Sequence, residues 1–166
     1  MPKYTLPHFG EIDTSNLEEY YDTEIEYNDN DVSIDLNFDE KSIDTKHLDK
    51  VKKIIKDLAT YDKQNIKYIE QDYKDEEADT VRTYIEHHLE EIDEAELLEV
   101  IDLTDKADNK EIQVLKALHL VRVGFYPHNE DYFVTFDYSL DQDITNYLVV
   151  INTDENGKLV YMTMES

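Results

Sequence analysis

Residues 24–38 read Glu24-Ile25-Glu26-Tyr27-Asn28-Asp29-Asn30-Asp31-Val32-Ser33-Ile34-Asp35-Leu36-Asn37-Phe38. Ile25 and Tyr27 alternate with Glu24 and Glu26, and Val32, Ile34, Leu36 and Phe38 alternate with Asp31, Ser33, Asp35 and Asn37. Alternation with a period of two marks a strand with one buried face. Asn28-Asp29-Asn30 between the runs supplies turn chemistry, because Asn and Asp tolerate positive φ. The stretch predicts a β-hairpin with an acidic outer face.

Working outward, the residues up to Glu19 carry little periodicity and are expected to wrap the surface. Downstream the period changes to that of a helix. Leu48, Val51, Ile55 and Leu58 fall at helical spacing after Asp44 or Thr45 as cap, and Ile66, Ile69 and Tyr73 form a shorter second pattern. Val81, Ile85, His88, Leu89 and Ile92 form a third, Leu97, Leu98 and Ile101 a fourth, and Ile112 and Leu115 a fifth that Asp108 is expected to cap.

Beyond Leu118 the reading returns to strands. They are Val121 to Tyr126, the alternating run Tyr132 to Ser139, the apolar run Tyr147 to Ile151, and Leu159 to Met164 after the turn Asp154-Glu155-Asn156-Gly157. The continuous apolar run is expected to be a central strand with both faces covered. The order predicts an α+β fold: an N-terminal β-hairpin, a central group of about four or five helices, and a C-terminal antiparallel β-meander of about four strands. No Gly/Pro/Ser linker cuts the chain, so residues 1–166 read as a single domain. The hairpin is expected to join the edge of the C-terminal sheet or to pack beside it.

The charge restricts function. Asp and Glu number 41 against 16 Lys and Arg, a formal net charge of −25. Such a chain repels phosphate, which argues against direct nucleic-acid binding. The absence of Cys removes disulfide frameworks, thiolate metal sites and Cys nucleophiles, and three Gly leave no room for a phosphate-cradling loop. No apolar run is long enough to span a membrane and no secretory signal is visible, so a cytoplasmic location is expected. The charge is uneven. Residues 70–105 hold 15 acids against two bases, whereas residues 41–69 carry an excess of Lys that is expected to offset part of the acid.

Catalytic and metal motifs do not emerge. His87 and His88 are neighbours on a helix and point about 100° apart, which does not suit one ion. Asp29-Asn30-Asp31 and Asp141-Gln142-Asp143 have Ile34 and Asn146 where a calcium loop needs Gly. No Ser lies in a nucleophile-elbow context. Asp35 and Asp137 fall on the solvent faces of alternating strands. No cofactor and no metal are expected, and the chain reads as non-enzymatic.

What remains is acid combined with Tyr, a side chain suited to interfaces because it offers contact area with few torsions to freeze. The expected function is a protein-binding module that captures a basic partner, of the immunity or inhibitor type, through Tyr84, Glu86, Glu90, Glu91 and Glu94. Its plainest competitor is a solvated acidic face that keeps the chain soluble. One alternative is a small enzyme or ligand-binding domain with a pocket between sheet and helices near Gly124, Tyr126 and Asp137. Another is a mimic of DNA charge.

The C-terminal runs Val123-Gly124-Phe125-Tyr126-Pro127, Tyr132-Phe133-Val134-Thr135-Phe136-Asp137-Tyr138-Ser139 and Asn146-Tyr147-Leu148-Val149-Val150, with the opening Tyr4-Thr5-Leu6-Pro7-His8-Phe9-Gly10, are similar to a family of uncharacterised small bacterial proteins, a domain of unknown function. The resemblance implies a bacterial origin and one domain, and carries no functional residue with it.

Overall fold

The computed structural model describes residues 2–166. Two strands that the sequence pattern does not announce come first, β1 (Lys3–Leu6) and β2 (Gly10–Asp13), paired antiparallel as a separate small hairpin. His8 in its turn and Gly10 at the start of β2 take positive φ, and Leu6 and Ile12 are its buried side chains. Four residues per strand are too few for periodicity to stand out. The expected surface wrap is therefore an ordered hairpin, and Tyr4 of β1 donates its hydroxyl hydrogen to Asp49.

The hairpin at 24–38 forms as expected, from β3 (Tyr20–Tyr27) and β4 (Asn30–Asn37). Its two-residue turn puts Asn28 at φ 50° and Asp29 at φ 65°. Positive φ at both positions gives a turn whose twist matches the flanking strands. Five helices follow: α1 (Thr45–Lys56), α2 (Leu58–Lys74), α3 (Thr80–Glu91), α4 (Glu94–Leu97) and α5 (Lys110–Ala117). The meander β5 (His119–Phe125), β6 (Val134–Ser139), β7 (Leu148–Thr153) and β8 (Leu159–Glu165) closes the chain.

Local chemistry explains most boundaries. Asp44 caps α1 by accepting from the Lys46 N–H. Leu58 opens α2 rather than closing α1, because the backbone leaves helical geometry at Asp57. The cap of α5 is Asn109, which accepts from the Ile112 N–H, not Asp108, which accepts instead from Lys116. In the first turn of α3 the Val81 N–H, which has no partner within the helix, is satisfied by Asp72 of α2.

The six strands β3 to β8 form one sheet in sequence order. Every neighbouring pair is antiparallel except β4 and β5, which lie parallel with Asp35 opposite Gly124 and Leu36 opposite Phe125. All five helices lie within that one parallel crossover. The hairpin thus joins the edge of the meander. Val32, Ile34 and Leu36, Val123 and Phe125, Val134 and Phe136, and Val149 and Ile151 bury one face against Leu48, Val51, Ile54, Ile85 and Val114 of the helices. The opposite face carries no helix. β7 is accordingly covered by helices on one face only, although Val150 on the other is still buried. Among the described residues no helix is long and apolar enough to cross a membrane.

Candidate functional site

The helix-free face of the sheet is organised around Arg122. Alternation along β4 places Asp35 on this face, and the registers set Asp35 beside Gly124 and Arg122 beside Asp137. The guanidinium lies across Gly124. Its Nε donates to Asp35 Oδ2 at 2.7 Å and its Nη2 to Asp35 Oδ1 at 2.9 Å, a bidentate pair. Nη1 donates to Asp137 Oδ2 at 3.2 Å and Nη2 also to the Tyr126 hydroxyl at 2.8 Å. Asn37 Nδ2 completes the network with a 2.7 Å bond to Asp35 Oδ1. A Cβ at position 124 would sit 2.8 Å from the Arg122 Cζ, so glycine is what allows the side chain to lie flat.

Asp35 and Asp137 are expected on the solvent faces of their strands; they lie on the face away from the helices but are buried there, 3% and 6% exposed. Arg122 covers them. Burial alone would lower the Arg122 pKa; the hydrogen bonds to Asp35 and Tyr126 and the two carboxylates outweigh it and raise it. Burial raises the carboxyl of Asp137, against the opposing pull of Arg122. Tyrosines line the same face: Tyr126 packs edge-on to Tyr132 at 5.4 Å and Tyr132 to Tyr161 at 6.1 Å, while Tyr20 is 56% exposed. Four of the five guanidinium hydrogens are engaged within the chain. Arg122 is therefore a fixed structural ion, and the two carboxylates around it leave the cluster with excess negative charge.

Gly124, Tyr126 and Asp137 are thus brought together, but on the face opposite the helices. The space between sheet and helices there is filled by the core. The larger surface grooves lie elsewhere: one of about 280 Å³ beside His47, Pro127 and Asp154, and one of about 430 Å³ beside Lys53, Tyr61 and Gly157. Arg122 carries no motif, although it is one of only two Arg in the chain and stands inside a strand pattern. A second unannounced group is Asp62, buried on α2, which accepts from the Tyr27 hydroxyl at 2.8 Å and the Tyr138 hydroxyl at 2.6 Å. The signal for it was present, since Leu58, Asp62, Asn65 and Ile69 fall on one helical stripe.

The acidic set on α3 and α4 divides. Glu86, Glu90, Glu91 and Glu94 are exposed, and none is in an ion pair among the described residues. Tyr84 is fully buried, which removes it from any contact surface of the folded chain. Its hydroxyl accepts from the Leu140 N–H at 2.9 Å and donates to the Tyr147 carbonyl at 3.1 Å, fastening the β6–β7 loop to α3. Helical spacing put it one turn before His88, on the inward face. Among the described residues no three His, Cys, Asp or Glu side chains are grouped to hold a metal ion.

His88 completes that clamp. Its Nδ1 lies 2.6 Å from the Tyr84 carbonyl, which can only accept, so Nδ1 carries the proton. Nε2 then accepts from the Thr145 hydroxyl at 2.8 Å. Burial holds the imidazole below its usual 6.5, against the Tyr84 carbonyl bond that favours the charged form. The unfolded chain takes up a proton near 6.5 that folded His88 refuses. Stability is therefore expected to fall as pH drops below about 6.5 through the depressed value. Thermal melts at neutral and mildly acidic pH check this: His88→Gln is expected to flatten the decline, and an unchanged slope in that variant would assign the effect to other groups.

No family model, curated protein or solved structure matches the chain.

Proposed function

We propose that the chain is a non-enzymatic protein-binding module whose acidic surface captures a basic partner, an immunity- or inhibitor-type protein acting in the cytoplasm. The observation that carries this reading is how little of the acid is neutralised within the chain. Lys3, Lys116 and Arg122 pair with Glu11, Asp108, Asp35 and Asp137, and the remaining carboxylates have no Lys or Arg within ion-pair distance among the described residues; His128 lies 3.7 Å from Glu40, but its Nδ1 accepts from the Asp39 N–H. The lysines of residues 41–69 do not offset them by contact: Lys50 turns to Asn156 and Lys52 to the ring of Tyr4. Self-repulsion of this kind costs folding stability, and a cationic partner relieves it.

Two regions supply contact surface. Glu86, Glu90, Glu91 and Glu94 form an acidic helical face, and the helix-free face of the sheet joins carboxylates to tyrosines. Charge complementarity of this type speeds association and is screened by salt. The immobilised chain is expected to retain a basic partner at low ionic strength and to release it as salt is raised. Replacing Glu86, Glu90, Glu91 and Glu94 together by Gln is expected to slow association by about an order of magnitude. Retention of nothing at low salt removes the proposal.

A further inference from the structure

The outer edge of β3 is unpaired, and its geometry specifies what can complete it. The two-residue turn makes Tyr27 and Asn30 a hydrogen-bonded pair, and the pattern then alternates along the hairpin. The Phe38 N–H donates to the Glu19 carbonyl at 3.0 Å, as that alternation requires. Hence the N–H and C=O of Tyr20, Asp22, Glu24 and Glu26 point away from β4. β3 is the end strand of its sheet, the β1–β2 hairpin is a separate sheet, and among the described residues none of these four has a backbone hydrogen bond to another element. The edge runs eight residues with no Pro and no bulge in its register.

Edges left this open are guarded by charge, proline or bulges. Here only charge is present, and it selects. A second copy of β3 would set Asp22, Glu24 and Glu26 against the same carboxylates, and directly opposed like charges destabilise a pair. A strand with Lys or Arg at alternate positions turns the same contacts into attraction. Its intervening residues would meet the half-buried Tyr21, Thr23, Ile25 and Tyr27 on the helix side. We propose that β3 receives an extended segment of a basic partner as an added strand, with alternating cationic and apolar side chains. This rests on the protein-binding reading above and names the form of the partner.

The test uses the full chain and an eight-residue peptide of alternating lysine and valine. Controls are a permuted peptide of equal composition and the alternating peptide N-methylated on the amides that would face β3. Strand addition is expected to slow amide exchange at Tyr20, Asp22, Glu24 and Glu26, and N-methylation is expected to weaken binding by at least about tenfold. Glu24→Pro deletes one outward amide without a ladder bond to β4 and is expected to weaken the alternating peptide more than Glu24→Gln does. Equal binding of all three peptides, without protection of those amides, overturns strand addition while leaving capture by charge intact. If no peptide binds even at low ionic strength, both readings fall.

Discussion

Replacing Arg122 by Met is expected to lower the free energy of unfolding at neutral pH by about 3–5 kcal/mol, the usual cost of removing one partner from a buried ion pair. The loss comes less from the missing attraction than from what is left behind. Asp35 would keep only Asn37 Nδ2 as a hydrogen-bond donor, and Asp137 would keep no side-chain donor. Both sit under the side chain that has been removed. The deficit should shrink as pH is lowered, because unpaired buried carboxylates take up protons above the usual carboxylate range and the neutral forms tolerate burial.

Urea denaturation across that pH span measures this effect. The triple substitution Asp35→Leu, Arg122→Met, Asp137→Leu is expected to recover most of the stability, since apolar replacement of a whole buried ion cluster is often neutral or favourable. Gly124→Ala should cost less than Arg122→Met, because the guanidinium can shift while remaining partly bonded to Asp35. A single Arg122→Met loss well below about 1 kcal/mol would show that the network behaves as an ordinary surface ion pair.

The Asp62 cluster is expected to give the second large effect. Asp62 on α2 is joined to the sheet by two tyrosine hydroxyls, and the Tyr138 bond is short and charge-assisted. Burial first, and Asp62 next, hold the Tyr138 hydroxyl well above its usual pKa, so it remains a donor throughout the ordinary pH range. Tyr138→Phe removes a hydrogen bond to a buried carboxylate and should cost about 1.5–3 kcal/mol. Asp62→Leu strands the Tyr138 hydroxyl, which is fully buried, at about 1–3 kcal/mol. Tyr27 loses the same acceptor, but it lines a surface groove of about 150 Å³ and can turn to water. The double variant is expected to be distinctly less destabilised than the two single losses added together, because neither group is then left unpaired. Strict additivity in a double-mutant cycle would show that the two side chains do not depend on each other.

Much of this architecture was legible before any coordinates. The hairpin at 24–38, the helical stripe of α1 and the turn at 154–157 are each set by neighbours within a few residues. Alternation assigns Asp35 and Asp137 to solvent faces, and they do lie away from the helices, but buried rather than exposed. Where local pattern misleads, the deciding contacts are distant in the chain. Tyr84 was expected on the surface because acids surround it in sequence, yet its hydroxyl bonds lie at Leu140 and Tyr147. Asp62 shares a helical stripe with Leu58 and Ile69, but nothing near it in the sequence names its partners. The hydroxyls that make it an acceptor, those of Tyr27 and Tyr138, lie 35 and 76 positions away.

By itself the sequence determined the order of strands and helices from β3 onward, the acidic outer face of the hairpin and the excess of negative charge, because periodicity, turn chemistry and composition are local or summed properties. The parallel pairing of β4 with β5 was decided only in the tertiary structure. So were the burial of Asp35 and Asp137 beneath Arg122 and the exposure of one face and one edge of the sheet. The parallel pairing and the contact of Asp35 with Arg122 depend on a register between residues more than 80 positions apart. Such pairings are chosen by the packing of the whole core, and no pattern within a single strand encodes them.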